Sequence, residues 1–166
     1  MGPTCSIIYE NEPIEKGIML RPPRKMGVSF LSLNQLSISI LLGLMITAGC
    51  LGIGYYFMQQ GSDDATVRTV VFITLLFSNI FLTLVNRSFT YAVFTTLSYK
   101  NNLVPLIIGI TLIFIAALIY VPAVRNLFML NTLSIKMLLS CIGVALMATL
   151  WIDILKVISR KKVGRE

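Results

Sequence analysis

The sequence contains no histidine, one tryptophan and three cysteines, and charged residues make up only 13% of its 166 positions. Without histidine, and with Cys5, Cys50 and Cys141 far apart, the common zinc spacings and any cysteine–histidine catalytic arrangement are excluded. An odd number of cysteines gives no support for a disulfide framework. Cys50 and Cys141 therefore read as small apolar fillers. No glycine-rich phosphate loop, serine–histidine pair or carboxylate pair on one face of a span is present, so the chain has no basis for enzyme chemistry of its own.

What the sequence does have is hydrophobicity in blocks. Apolar residues are 56% of the chain and the mean hydropathy is +0.84, too high for a water-facing surface at this length. They gather into four runs almost free of charge, at about 36–58, 67–85, 103–121 and 137–158. Each is near the ~20 residues needed to cross a hydrocarbon core about 30 Å thick. Backbone groups in lipid must be satisfied within the segment, and the alternation of a barrel strand is absent, so the expected fold is all-α: a polytopic bundle of four transmembrane helices.

Residues 1–35 form a membrane-proximal segment, with an apolar patch at Ile7-Ile8-Tyr9, acids between Glu10 and Glu15, and Arg21-Pro22-Pro23-Arg24-Lys25. The adjacent prolines stop a helix. Such a polar, proline-bearing start does not resemble a secretory signal. Residues 159–166 are a basic tail. Ser62-Asp63-Asp64 supplies capping residues and negative charge for the second span, and Ser134 can cap the fourth. Pro105 falls in the first turn of the third helix, and Pro122 stops that helix at its far end. Tyr55, Tyr56, Tyr91, Tyr99 and Tyr120 lie near the expected membrane interfaces.

The net charge of +7 is placed between and after the runs, which argues against nucleic acid and for a lipid bilayer as the charge's partner. Of 14 lysines and arginines, 11 fall on one side: Lys16, Arg21, Arg24, Lys25, Arg87, Lys100, Lys156, Arg160, Lys161, Lys162 and Arg165. The other side has only Arg68, Arg125 and Lys136. By the positive-inside rule both termini and the loop from Asn86 to Asn102 are cytoplasmic, and the expected location is the plasma (inner) membrane.

Few polar groups lie within the spans. Asp153, near the cytoplasmic end of the fourth span, shares a helix face with Lys156, and the two read either as a local ion pair with Lys156 snorkelling or as part of a transport route. Asn79 lies deep in the second span, beside Ser78. Its amide serves either as a hydrogen bond between helices or as an oxygen donor near a cation. Ser39, Gly43 and Thr47, Ala48 and Gly52, and Cys141, Ala145 and Thr149 recur at four-residue spacing, which lets helix backbones approach closely.

Pro-Thr-Cys-Ser-Ile-Ile-Tyr-Glu at residues 3 to 10, followed by Arg21-Pro22-Pro23-Arg24, resembles the cytoplasmic loop between the sixth and seventh transmembrane helices of P-type calcium-transporting ATPases. Arg68-Thr69, Asn86-Arg87-Ser88, Tyr120-Val121-Pro122 and Asp153-Ile154-Leu155-Lys156 match that family in order, so the resemblance covers about residues 3–160. It implies that the four spans are the seventh to tenth helices of a ten-helix pump. It also implies that Asn79 stands where sarcoplasmic-reticulum-type pumps have a calcium-site glutamate and plasma-membrane-type pumps a glutamine. Gly2 departs from the family, which usually has aspartate there.

The sequence holds no Asp-Lys-Thr-Gly phosphorylation motif, nucleotide-binding domain or actuator domain. The resemblance therefore implies a partial pump, from a split or shortened gene, that supports the membrane part without hydrolysing ATP. Its expected partners are the remaining six helices and cytoplasmic domains of a P-type ATPase. The family's ATP, magnesium and transported cation would be used there, and this chain would bind no cofactor itself. The competing reading is an independent four-helix carrier or channel acting as an oligomer.

Overall fold

The computed structural model describes Glu10, residues 33–86 and residues 103–163, with the side chains of 34, 35 and 153–163 outside that description. The Ile7-Ile8-Tyr9 patch, the paired prolines, Tyr91, Tyr99, the last three residues of the tail and the side chains of Asp153 and Lys156 therefore lie outside the described part.

Five helices make up the described chain: α1 (Leu33–Gln59), α2 (Asp64–Val85), α3 (Leu103–Tyr120), α4 (Pro122–Leu127) and α5 (Ile135–Val163). Four of them, all but α4, are long and apolar enough to cross a membrane, over Leu36–Gln59, Asp64–Val85, Leu103–Tyr120 and Ile135–Ile152. The second span starts at Asp64 rather than near 67. Asp63 is its N-cap, in extended conformation and with no side-chain capping bond, so the expected cap acts through charge near the helix N-terminus.

Helix ends follow local chemistry. After α1, Gly61 takes φ +74°, while Gly61 N–H donates to Met58 O and Ser62 N–H to Phe57 O. These paired bonds close a Schellman motif and satisfy two of the carbonyls left over at the helix end. Pro122 does end the third span, at Tyr120, but it also opens α4, where it occupies the first helical position. At the end of α4 the same motif recurs with Met129 at φ 51°: Met129 N–H donates to Asn126 O and Leu130 N–H to Arg125 O. A methionine in the left-handed region costs about 1–2 kcal/mol. Burial of Leu130 just beyond it, in the main core, offsets that cost.

α2 is the central helix. It touches α1, α3 and α5, most extensively α5, and α1 and α5 also meet each other. The main core joins Ile53 and Phe57 of α1, Val70, Ile73 and Phe77 of α2, Leu118 of α3, and Cys141 and Ala145 of α5. Lipid tails are as apolar as leucine, so these contacts stabilise by close packing rather than by escape from water. Glycine makes two of them possible. A Cβ on Gly54 would stand 2.8 Å from Val71 Cγ2, and one on Gly49 would stand 3.1 Å from Val144 Cγ1.

α3 is the outer helix. Leu106, Ile110 and Ile113 are exposed along it, as is Tyr120 at its end, the composition of a lipid-facing surface ending at an interface.

Candidate functional site in the central helix

Polar side chains within the spans mostly turn inward onto their own helix. Thr47, Thr69, Thr74, Thr83, Thr111, Ser140 and Thr149 each donate a hydroxyl to the carbonyl four residues back, at 2.6 to 3.0 Å. This is the available solution where no water competes. Ser78 departs from it: the residue is 1% exposed, and its Oγ has no hydrogen-bond partner.

Asn79, next in sequence, is half-buried, and its Nδ2 donates to Leu75 O at 2.9 Å. Its backbone carbonyl accepts from Thr83 Oγ1 at 2.8 Å. Among the described residues none donates to its Oδ1. The recorded bond is thus within α2 and not to another described helix. A carboxamide whose nitrogen is engaged by the backbone behind it retains an oxygen that can accept a donor or coordinate a hard cation.

The small residues fall into two groups. Cys141, Ala145 and Thr149 are fully buried, in the part of α5 that packs on the bundle, and Cys141 Sγ reaches Val70 O of α2 at 3.6 Å. Gly43 and Gly52 of α1 have nothing within 4 Å of a built Cβ. Asp153 and Lys156 belong to the continuous helix α5. No group of three potential metal-binding histidine, cysteine, aspartate or glutamate side chains occurs among the described residues.

A polar clamp that the sequence reading did not single out lies at the end of the bundle opposite Asn86. Asn131, after α4, donates its backbone N–H to Thr69 Oγ1 at 2.8 Å and its Nδ2 to Thr66 Oγ1 at 3.1 Å, while its Oδ1 accepts from Thr132 N–H. It ties the segment before α5 to the first turns of α2. An asparagine in a short loop carries no periodic signal, and its partners are more than sixty positions away.

Sequence comparison gives these features a lineage. Residues 1–158 match the family described as cation transporting ATPase, C-terminus. The chain is 28% identical over 141 residues to calcium-transporting ATPase 1 of Yarrowia lipolytica, covering 85% of this chain and 15% of that protein. It is 25% identical to calcium-transporting ATPase 1 of Schizosaccharomyces pombe, over 92% of this chain and 17% of the relative. With calcium-transporting ATPase type 2C member 1 of Homo sapiens it shares 24% identity, over 91% of this chain and 16% of that one. The chain thus corresponds to 15 to 17% of the length of these pumps. With four apolar helices and a family match over nearly its whole length, the chain belongs to the cation-transporting ATPase C-terminal family and is an integral membrane protein.

Proposed function

We propose that this chain is the membrane-support bundle of a P-type pump that transports a cation, most simply calcium, and that it works against six further helices and the cytoplasmic domains carried elsewhere. The observation that carries this reading is the position of Asn79. It is a polar amide in the C-terminal half of the central helix, and its oxygen receives no bond from any described residue. In an assembled pump that oxygen would sit beside the cation route, without supplying the charge of a carboxylate. The relatives' names supply calcium as the ion. Catalysis, ATP and magnesium belong to the rest of the pump, since no Asp-Lys-Thr-Gly motif lies within these residues. The eleven-to-three basic asymmetry supports cytoplasmic termini.

The test is purification of the tagged chain from its native membranes, followed by labelling with radioactive ATP. A co-purifying polypeptide bearing Asp-Lys-Thr-Gly should form an acid-stable, calcium-dependent phosphoenzyme, and the isolated chain should take up no label. Absence of any such polypeptide, with cation flux retained by the chain alone in vesicles, would replace this reading with the independent carrier.

A further inference from the structure

Four consecutive apolar residues, Leu127-Phe128-Met129-Leu130, form the turn that leaves α4. Turns in water favour glycine, proline, asparagine, aspartate and serine. The connection after α1, at the same end of the bundle, follows that rule with Gln60-Gly61-Ser62-Asp63. Leu130 is buried in the main core, but Leu127 is 78% exposed and Met129 is 70% exposed. Met129 also holds its left-handed backbone, at φ 51°, where glycine would be free of strain.

Contacts to α2 fix the depth of this turn. α2 has 22 residues, so at about 1.5 Å per residue it is roughly 33 Å long, close to the thickness of the hydrocarbon core. Asp63 and Asp64 hold its start at the membrane surface, since carboxylates are costly in hydrocarbon. Asn131 bonds to Thr66 and Thr69, and the Phe128 ring stacks on Phe72 with centroids 6.2 Å apart. Thr69 and Phe72 lie about 8 and 12 Å along α2 from Asp64. The turn therefore sits below the level of the aspartates, at the boundary between headgroups and acyl chains.

Its backbone suits such a place. The N–H groups of Phe128, Met129, Leu130, Asn131 and Thr132 donate in turn to Val124 O, Asn126 O, Arg125 O, Thr69 Oγ1 and Asn131 Oδ1. Successive donors at and after the end of α4 are thus satisfied by protein, as backbone groups away from water must be. The side chains divide in the same way. At about 100° per residue Leu127 lies about 60° from Val124, which packs against the core, whereas the exposed Asn126 lies on the opposite side of α4.

We propose that the turn from Leu127 to Leu130 is an interfacial anchor, seated in the leaflet at this end of the bundle with Leu127 and Met129 inserted among phospholipid acyl chains. Acyl chains give exposed apolar side chains a favourable place 5 to 10 Å or so below the headgroups, which water does not. Through the Asn131 to Thr69 bond the anchor sets the depth of the central helix in that leaflet. Such seating requires a bilayer and no pump partner, so it stands apart from the proposed function.

The experiment uses the full chain in two forms. Single cysteines at Asn126, Leu127 and Met129, in a background lacking the native three, are treated with an impermeant maleimide in native membranes. Asn126→Cys should react readily, while Leu127→Cys and Met129→Cys should react about tenfold more slowly or less, because thiols in apolar surroundings ionise poorly. Single tryptophans at Leu127 and Met129, in a Trp151→Phe background reconstituted into phosphatidylcholine vesicles, then identify what covers them. Both should be quenched strongly by phosphatidylcholine brominated near the glycerol end of its acyl chains, and weakly by bromine near the chain ends. Ser62→Trp should respond instead to aqueous iodide. Leu127 has helical backbone, so its variants report even where Met129→Trp fails to fold. Equal labelling of all three cysteines would place the turn in water and overturn the proposal. Slow labelling without quenching by brominated lipid would show that protein covers the turn, and would also overturn it.

Discussion

Asn131 donates its backbone N–H to the Thr69 hydroxyl at 2.8 Å, across 62 positions of sequence, and that hydroxyl passes its own proton to Ala65 O at 2.6 Å. Thr69 is 0% exposed, so both of its bonds are sheltered. The pair fixes where the fourth span begins relative to the second.

Thr69→Val keeps the shape and removes the acceptor, leaving the Asn131 N–H partly buried without a partner. We expect a loss of about 1–3 kcal/mol, read as a lower melting temperature in detergent. Thr66→Val should cost less, since it removes only the longer side-chain bond at 3.1 Å. Equal, negligible effects from both would mean that the clamp contributes nothing to stability.

Glycines of similar sequence context should respond in opposite directions. Gly54→Ala drives a Cβ to 2.8 Å from Val71 Cγ2, the tip of a stiff β-branched side chain, and should destabilise by about 1–3 kcal/mol. Gly143→Ala meets nothing within 4 Å and should be neutral or gain up to about 1 kcal/mol from helix propensity. A thermal shift assay that ranked Gly143→Ala as the more damaging change would contradict the packing described for α1 and α2.

Ser78 holds a hydroxyl with no partner at 1% exposure. Its removal in Ser78→Ala should raise stability or leave it unchanged, because an unsatisfied buried polar group costs about 1–3 kcal/mol. A marked fall in melting temperature would reveal a bonded partner for Ser78, such as a buried water.

Asn79 separates a cation role from a packing role in the assembled pump. Asn79→Asp should alter apparent calcium affinity or its pH dependence, and Asn79→Leu should weaken transport more than folding. If the amide only bonds to a helix, Leu should lower stability by about 0.6–2 kcal/mol and leave affinity alone. Transport and melting measured on both variants decide between these outcomes.

Topology is testable with single cysteines in a background that lacks the native three. Substitutions at Ser62 and Asn126 should react with an impermeant reagent from outside, and one at Tyr99 should not. Reaction of all three from the same side would remove the four-span arrangement.

Composition and the spacing of apolar runs determined the fold class, the four spans and the short connection after the first of them. Lipid leaves a chain few options, since backbone groups without water must pair within the helix. Gly61 carries a local mark of its own, since a glycine after a helix takes positive φ at no steric cost. Met129 adopts the same geometry without any such mark, because the anchoring of Leu130 in the core, and not residue preference, holds it there. Asn79 stood out in sequence as a deep polar residue. Only the tertiary structure decided that its amide bonds back to α2, that α2 is central, and that Gly43 lies open while Gly54 is packed against valine. Identical residues at similar spacing acquired different roles because helix rotation about its own axis, set by packing among all four spans, is not encoded in any one span.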